Sequence, residues 1–136
     1  MRHGTAEGPY GRLTPEGKSR VKIAAAHLRE DLKKTLNLPI IEYYREMNRA
    51  FSLPIYTSSA ERAIHTGIIL AEELEPIIRY PHLIVSTELN SEAHSIEKLV
   101  ANINDPQAIL VSHELDIERY TGERLYSAQW TRKEIA

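Results

Sequence analysis

Residues 52–74 read SLPIYTSSAERAIHTGIILAEEL, and the fold turns on this stretch. Leu53 to Thr57 is a short apolar run with β-branched and aromatic members, which predicts a strand. Ser58 and Glu61 come next at capping-box spacing, which predicts Ser58 as the cap of a helix. Ala63, Gly67, Ala71 and Leu74 recur on one face of that helix, and small residues there predict close packing on a sheet. A strand that passes directly into a helix puts the turn between them, here TSSAER, at the carboxyl edge of the sheet.

The same alternation extends in both directions. Upstream, LTPEGKSRVKIAAAHLREDLKK starts a helix with Thr14 as cap and Pro15 at the first helical position. Val21, Ala24, Ala25, Leu28 and Leu32 give it one buried face. Ile41, Tyr44 and Met47 are spaced to line a further short helix, and the segment 35–56 is long enough to form a partial lid. Downstream, RYPHLIVS holds a strand, and SEAHSIEKLVANI a helix with Ile96, Leu99, Val100 and Ile103 inward. AILVS is a compact buried strand, and HELDIERYTG is a helix beginning at its end. SAQWTRKEIA, at 127–136, reads as the tail of a helix. Strands alternating with helices predict an α/β protein with a mainly parallel sheet.

The 136 residues predict one domain, 1–136. Net charge is −2, which gives no support to broad electrostatic binding of nucleic acid or an acidic membrane. There is no cysteine, so disulfides, thiolate chemistry and cysteine metal sites are excluded. No apolar run reaches the length of a membrane span, and the first residues lack the apolar core of a signal peptide. The expected location is the cytoplasm. His27, His65, His82 and His94 read as structural or surface residues, and no pair of them has metal-ligand spacing with a carboxylate partner. No metal or other cofactor is expected.

The chemistry concentrates at three places. Arg2, His3 and Gly4 open the chain, ahead of the glycine-rich loop TAEGPYGR. Arg62 lies in the first turn after TSS, and His113 directly succeeds the strand AILVS. Two arginines, two histidines and helix N-termini converging on one sheet edge make an anion site, because guanidinium groups match phosphate oxygens in a bidentate way and helix N-termini add free N–H donors. A neutral histidine in such a site can attack phosphorus. Plainer readings stand beside this one: a solvated terminus for Arg2 and His3, a surface ion pair with Glu61 or Glu72 for Arg62, and a core histidine bonded to backbone for His113.

Four motifs in order decide between them: Arg2-His3-Gly4; Leu13-Thr14 with Gly17; Ser58, Arg62, Ala63 and Thr66; and LVSH ending in His113. Their order and type resemble the histidine phosphatase superfamily, which includes the phosphoglycerate mutases, over nearly the whole chain. The compact size and SHELDIERYTG make the chain most similar to the SixA-type phosphohistidine phosphatases. The resemblance implies a three-layer α/β/α fold. It implies His3 as the phosphorylated nucleophile, with Arg2, Gly4, Arg62 and His113 holding the phosphate. It implies Glu88 as the general acid of an ester-cleaving relative, with Glu92 as rival. The implied substrate is a phosphorylated protein, such as a histidine phosphotransfer domain, or alternatively a small phosphate ester turned over by a phosphomonoesterase or mutase. A non-catalytic phosphate-binding module is the third reading. The family's first strand normally runs into Arg-His-Gly, and a further strand comes after its last helix. The chain is thus expected to be shortened at both ends, with no strand to hold His3 still.

Overall fold

The computed structural model describes residues 1–6, 11–35, 53–78, 82–91, 95–105 and 107–134. The short helix expected around Ile41–Met47 and the 35–56 lid lie almost wholly outside the described residues. The elements run in the order α1 (Pro15–Thr35), β1 (Ile55–Thr57), α2 (Glu61–Leu74), β2 (Leu83–Val85), a 3₁₀ turn (Thr87–Leu89), α3 (Ile96–Asn102), β3 (Ile109–Val111) and α4 (Glu114–Thr121). Strands and helices alternate as the periodicity predicts.

The sheet is parallel, in the order β2-β1-β3. Ile55 pairs with Leu83 on one side and with Ile109 on the other. Side chains alternate across a strand, and the two faces meet different layers. Ile55, Ile109 and Val111 join the main core with α1 and α2. Tyr56 and Leu110 pack against the second cluster, formed by Leu89, Ile96 and Leu99. Helices therefore cover both faces, which is the three-layer arrangement.

Local sequence accounts for the positions of α1 and α2. Thr14 Oγ1 accepts the Gly17 N–H at 2.9 Å and caps α1 as expected. On α2, a methyl group at Gly67 would stand 2.5 Å from Thr57 Cγ2 and 2.7 Å from Leu83 Cδ1. The missing side chain is what lets this helix lie close to the sheet.

The chain start is bound on both edges. Arg2 forms a parallel bridge with Ser112, the Ser112 N–H donates to Met1 O at 3.0 Å, and the His3 N–H donates to Ser112 O at 3.3 Å. On the opposite edge the Arg2 N–H donates to Gln129 O at 2.9 Å and the Ala128 N–H donates to His3 O at 3.2 Å. Residues 1–3 thus extend the sheet beside β3 without a full strand. The tail corrects one expectation. Residues 127–134 form no helix, because Ala128 takes a positive φ of 61° and turns its N–H toward His3. Among the described residues, no helix is long and apolar enough to cross a membrane.

Candidate active site

β1 and β3 end side by side, so the turns after them share one edge. Ser58 and Ser59 succeed β1, Ser112 and His113 succeed β3, and the Arg2-His3 segment lies alongside. The expected capping box is not formed. The N-cap of α2 is Ala60, with no side-chain cap bond. Ser58 is fully buried, and its hydroxyl lies 2.9 Å from His113 Nε2 instead. His113 is the N-cap of α4, also without a side-chain cap bond. Ser58 Oγ also accepts the Ala60 N–H at 3.4 Å, while the N-cap side chains of α2 and α4 make no cap bond, so two helix N-termini end at this edge, a favourable arrangement for an anion.

The bonds around His3 define its tautomer. Nδ1 lies 2.7 Å from Gly4 O, which can only accept, so Nδ1 carries the proton. Arg62 Nε donates to His3 Nε2 at 3.1 Å, so Nε2 holds the lone pair. Burial lowers the His3 pKa to about 4; the Gly4 carbonyl opposes this, while His113, Arg62 and Arg2 reinforce it. The ring is neutral at neutral pH. Gly4 donates its N–H to Thr66 Oγ1 at 3.1 Å, and Thr66 donates to Arg62 O at 2.8 Å. One hydroxyl on α2 thus links the Arg2-His3-Gly4 segment to the helix that carries Arg62. Gly4 has no room for a side chain, since a Cβ would lie 2.6 Å from Val21 Cγ2.

His113 completes the chain of contacts. Arg62 Nη2 stands 3.4 Å from His113 Nδ1. A guanidinium only donates, so Nδ1 accepts and Nε2–H donates to Ser58 Oγ. Burial lowers the His113 pKa, the Arg62 charge adds to this and Arg2 adds further, while Asp116 opposes. The two imidazoles lie edge to face, with centroids 5.0 Å apart. Arg2 reaches the site from the other direction. Its Nη1 donates to Leu125 O at 3.1 Å and lies 3.4 Å from Glu114 Oε2. Glu114 Oε1 in turn accepts from Arg124 Nε at 2.9 Å. Arg2 Nε is buried with no hydrogen-bond partner among the described residues.

The structure thus brings Arg2, His3, Gly4, Arg62 and His113 together. Glu88 lies on the 3₁₀ turn, half-buried. A cleft of about 410 Å³ beside these residues is lined by residues 59–62, Asn90, Ser91 and His113; Arg2, His3 and Glu88 do not line it. Glu92 lies outside the described residues. Sequence reasoning missed Ser58 as a partner of His113, Glu114 as a partner of Arg2, and Asn90 on the cleft wall. For Glu114 a signal was present in its place directly after His113. Asn90 offered none. Among the described residues, no group of three or more histidine, aspartate and glutamate side chains is placed to hold a metal ion.

This architecture, a parallel sheet between helical layers, is a phosphoglycerate mutase-like α/β fold. Among solved structures, a SixA phosphohistidine phosphatase candidate from Agrobacterium tumefaciens matches with a TM-score of 0.57 and 18% identity, over 90% of this chain and 73% of that one. The protein histidine phosphatase SixA in complex with tungstate matches with a TM-score of 0.56 and 17% identity, over 90% and 72%. Phosphoglycerate mutase from Plasmodium falciparum matches with a TM-score of 0.56 and 22% identity, over 88% and 62%. At identities this low the likeness is one of fold. No family model matches the chain, and no curated protein matches it.

Proposed function

We propose that the chain is a phosphatase that works through a phosphohistidine intermediate on His3 and takes its phosphoryl group from a phosphohistidine on a partner protein, such as a histidine phosphotransfer domain. The observation that carries this reading is the fixed tautomer of His3, with Nδ1–H bonded to Gly4 O and the Nε2 lone pair facing Arg62. A neutral imidazole with an oriented lone pair is what attack on phosphorus requires. In the first step the Nε2 lone pair forms a P–N bond. The bond from phosphorus to the substrate ring nitrogen breaks, its electron pair stays with the departing imidazole, and that ring takes a proton from solvent. In the second step water attacks phosphorus and gives a proton to solvent. The P–N bond to His3 breaks, the pair returns to Nε2, and inorganic phosphate leaves.

Arg62 occupies the Nε2 lone pair in the free protein, so an arriving phosphoryl group displaces it onto the equatorial oxygens. There Arg62, Arg2 and the first-turn amides of α2 and α4 neutralise charge as it redistributes in the transition state, and His113, once Arg62 has left its Nδ1, takes the Nδ1–H tautomer and donates to an oxygen while Ser58 Oγ donates to its Nε2. The choice of leaving group turns on the carboxylates. An alkoxide needs a positioned acid, and among the described residues the one carboxylate that lines the cleft, Glu61, pairs with Arg12 at 3.6 Å. A phosphohistidine, with its labile P–N bond, depends less on such an acid. This favours a phosphohistidine substrate over a small phosphate ester.

Incubation with a labelled phosphohistidine protein, quenched in base, is expected to leave acid-labile, base-stable label on the wild type and none on His3→Ala. Label that persists in His3→Ala overturns the assignment of the nucleophile. Vanadate binding by a wild type that turns nothing over supports a binding module instead.

A further inference from the structure

Asn90 lines the cleft with side-chain donors that are fixed in direction yet unused. Its Oδ1 accepts two hydrogen bonds from Ser59, one from the backbone N–H at 2.8 Å and one from the hydroxyl at 2.9 Å. The backbone N–H can only donate, so the atom facing it is the oxygen, and the orientation of the carboxamide is settled. The amide NH₂ therefore points away from Ser59, and no hydrogen bond engages it among the described residues. Asn90 and Ser59 both line the cleft whose other members include Arg62 and His113.

In-line transfer fixes what occupies that wall. His3 does not itself line the cleft, and its Nε2 is bonded to Arg62, which does. Attack from His3 sends the leaving group to the opposite side of phosphorus, into the open cleft. Whatever carries the leaving group passes the Ser59–Asn90 wall. We propose that Asn90 is a specificity-determining residue that donates a hydrogen bond to a main-chain carbonyl of the polypeptide flanking the phosphohistidine. The proposal rests on the reading of the site given above. A carbonyl oxygen is the complement of a fixed N–H pair, and a donor held in place before binding loses little freedom when it is used. The ring nitrogen of the departing imidazole is the poorer complement, because it departs most readily when protonated, and a protonated nitrogen cannot accept.

The test compares two substrates that share a phosphoryl group and an imidazole. Phosphoimidazole has no main chain; a phosphohistidine peptide has one. In Asn90→Asp the bond to Ser59 is retained and the NH₂ is replaced by an acceptor. Repulsion between the new charge and the phosphoryl group acts on both substrates alike and cancels in their ratio. The ratio of kcat/KM for peptide over phosphoimidazole is expected to fall about tenfold, the size of one lost hydrogen bond turned into an acceptor–acceptor contact. Asn90→Ala is expected to lower it about fivefold. Equal loss on both substrates, or an unchanged ratio in both variants, overturns the proposal, since an asparagine that only braces the loop would give one of these.

A binding measurement separates this from failure of the catalytic reading. In a His3→Ala background, Asn90→Asp is expected to weaken binding of a peptide carrying a phosphoryl-triazole analogue of phosphohistidine about tenfold more than binding of inorganic phosphate. Equal weakening overturns the role of Asn90 whatever His3 does.

Discussion

The low basicity of His3 makes the acid sensitivity of folding calculable. Its pKa is about 4 in the fold, against 6.5 for the ordinary imidazole. The unfolded chain therefore binds a proton between these values while the folded chain does not, and stability rises with pH across the interval. The contribution is complete above the unfolded pKa and is lost as pH falls through the folded one. At about 1.4 kcal/mol per tenfold change in proton affinity the whole difference is about 3 kcal/mol. Between about pH 7.5 and about pH 4.5 it comes to about 2 kcal/mol, after allowing for the part of the ring that water reaches. His3→Gln removes the titration and leaves His113 in place, so the background slope is shared. Urea unfolding at the two pH values is expected to show the wild type losing about 2 kcal/mol more than His3→Gln. Nitrogen shifts of the ring, tracked by NMR, are expected to hold the Nδ1–H neutral form down to about pH 5. Parallel losses in the two proteins, or a titration midpoint at the ordinary imidazole value, refute the reasoning, because burial would then not be governing the ring. For the reaction proposed above, His3 would stay unprotonated well into the acid range.

Contacts beside the site give two further expected outcomes. Gly67→Ala drives a methyl group against Thr57 and Leu83 and is expected to cost about 1–3 kcal/mol in urea unfolding; no loss would mean that α2 does not sit this close to the sheet. Ser58→Ala leaves the Nε2–H of His113 without its acceptor and is expected to weaken inorganic phosphate binding about fivefold to tenfold, with Ser58→Thr restoring most of it; unchanged affinity in Ser58→Ala would remove Ser58 from the positioning of His113.

The alternation of strand and helix was legible because each element carries its own punctuation. Thr14-Pro15 opens α1, the run from Leu53 to Thr57 ends at two serines, and AILVS is too short and too apolar to be anything but a buried strand. The grouping of Arg2, His3, Arg62 and His113 was legible because a parallel sheet gathers the residues just past its strand ends at one edge. Competition between local and distant partners lay beyond the sequence. Ser58 has the spacing of a cap, yet a buried imidazole N–H brought against it by β3 takes the hydroxyl, and nothing within the segment 52–74 signals that His113 arrives there. Residues 127–134 have a helical look, yet the edge of residues 2–3 offers backbone groups that need partners, and Ala128 turns to meet them at His3.

These departures share a cause, and it bears on function. A helix start that gives up its cap leaves amides open, and a sequence that specified only stability would have capped α2 with Ser58. Here the hydroxyl orients a histidine and reaches only the Ala60 N–H, at 3.4 Å, so the first turn of α2 has no N-cap side chain at the cleft lined by Arg62 and His113. Local rules are expected to give way where a site makes a competing demand. The failed cap at Ser58 therefore supports a ligand site at this edge on grounds separate from the motifs. Asn90 extends the same logic to the far wall, where a side chain that could have turned to solvent is held by two bonds with its donors left unused.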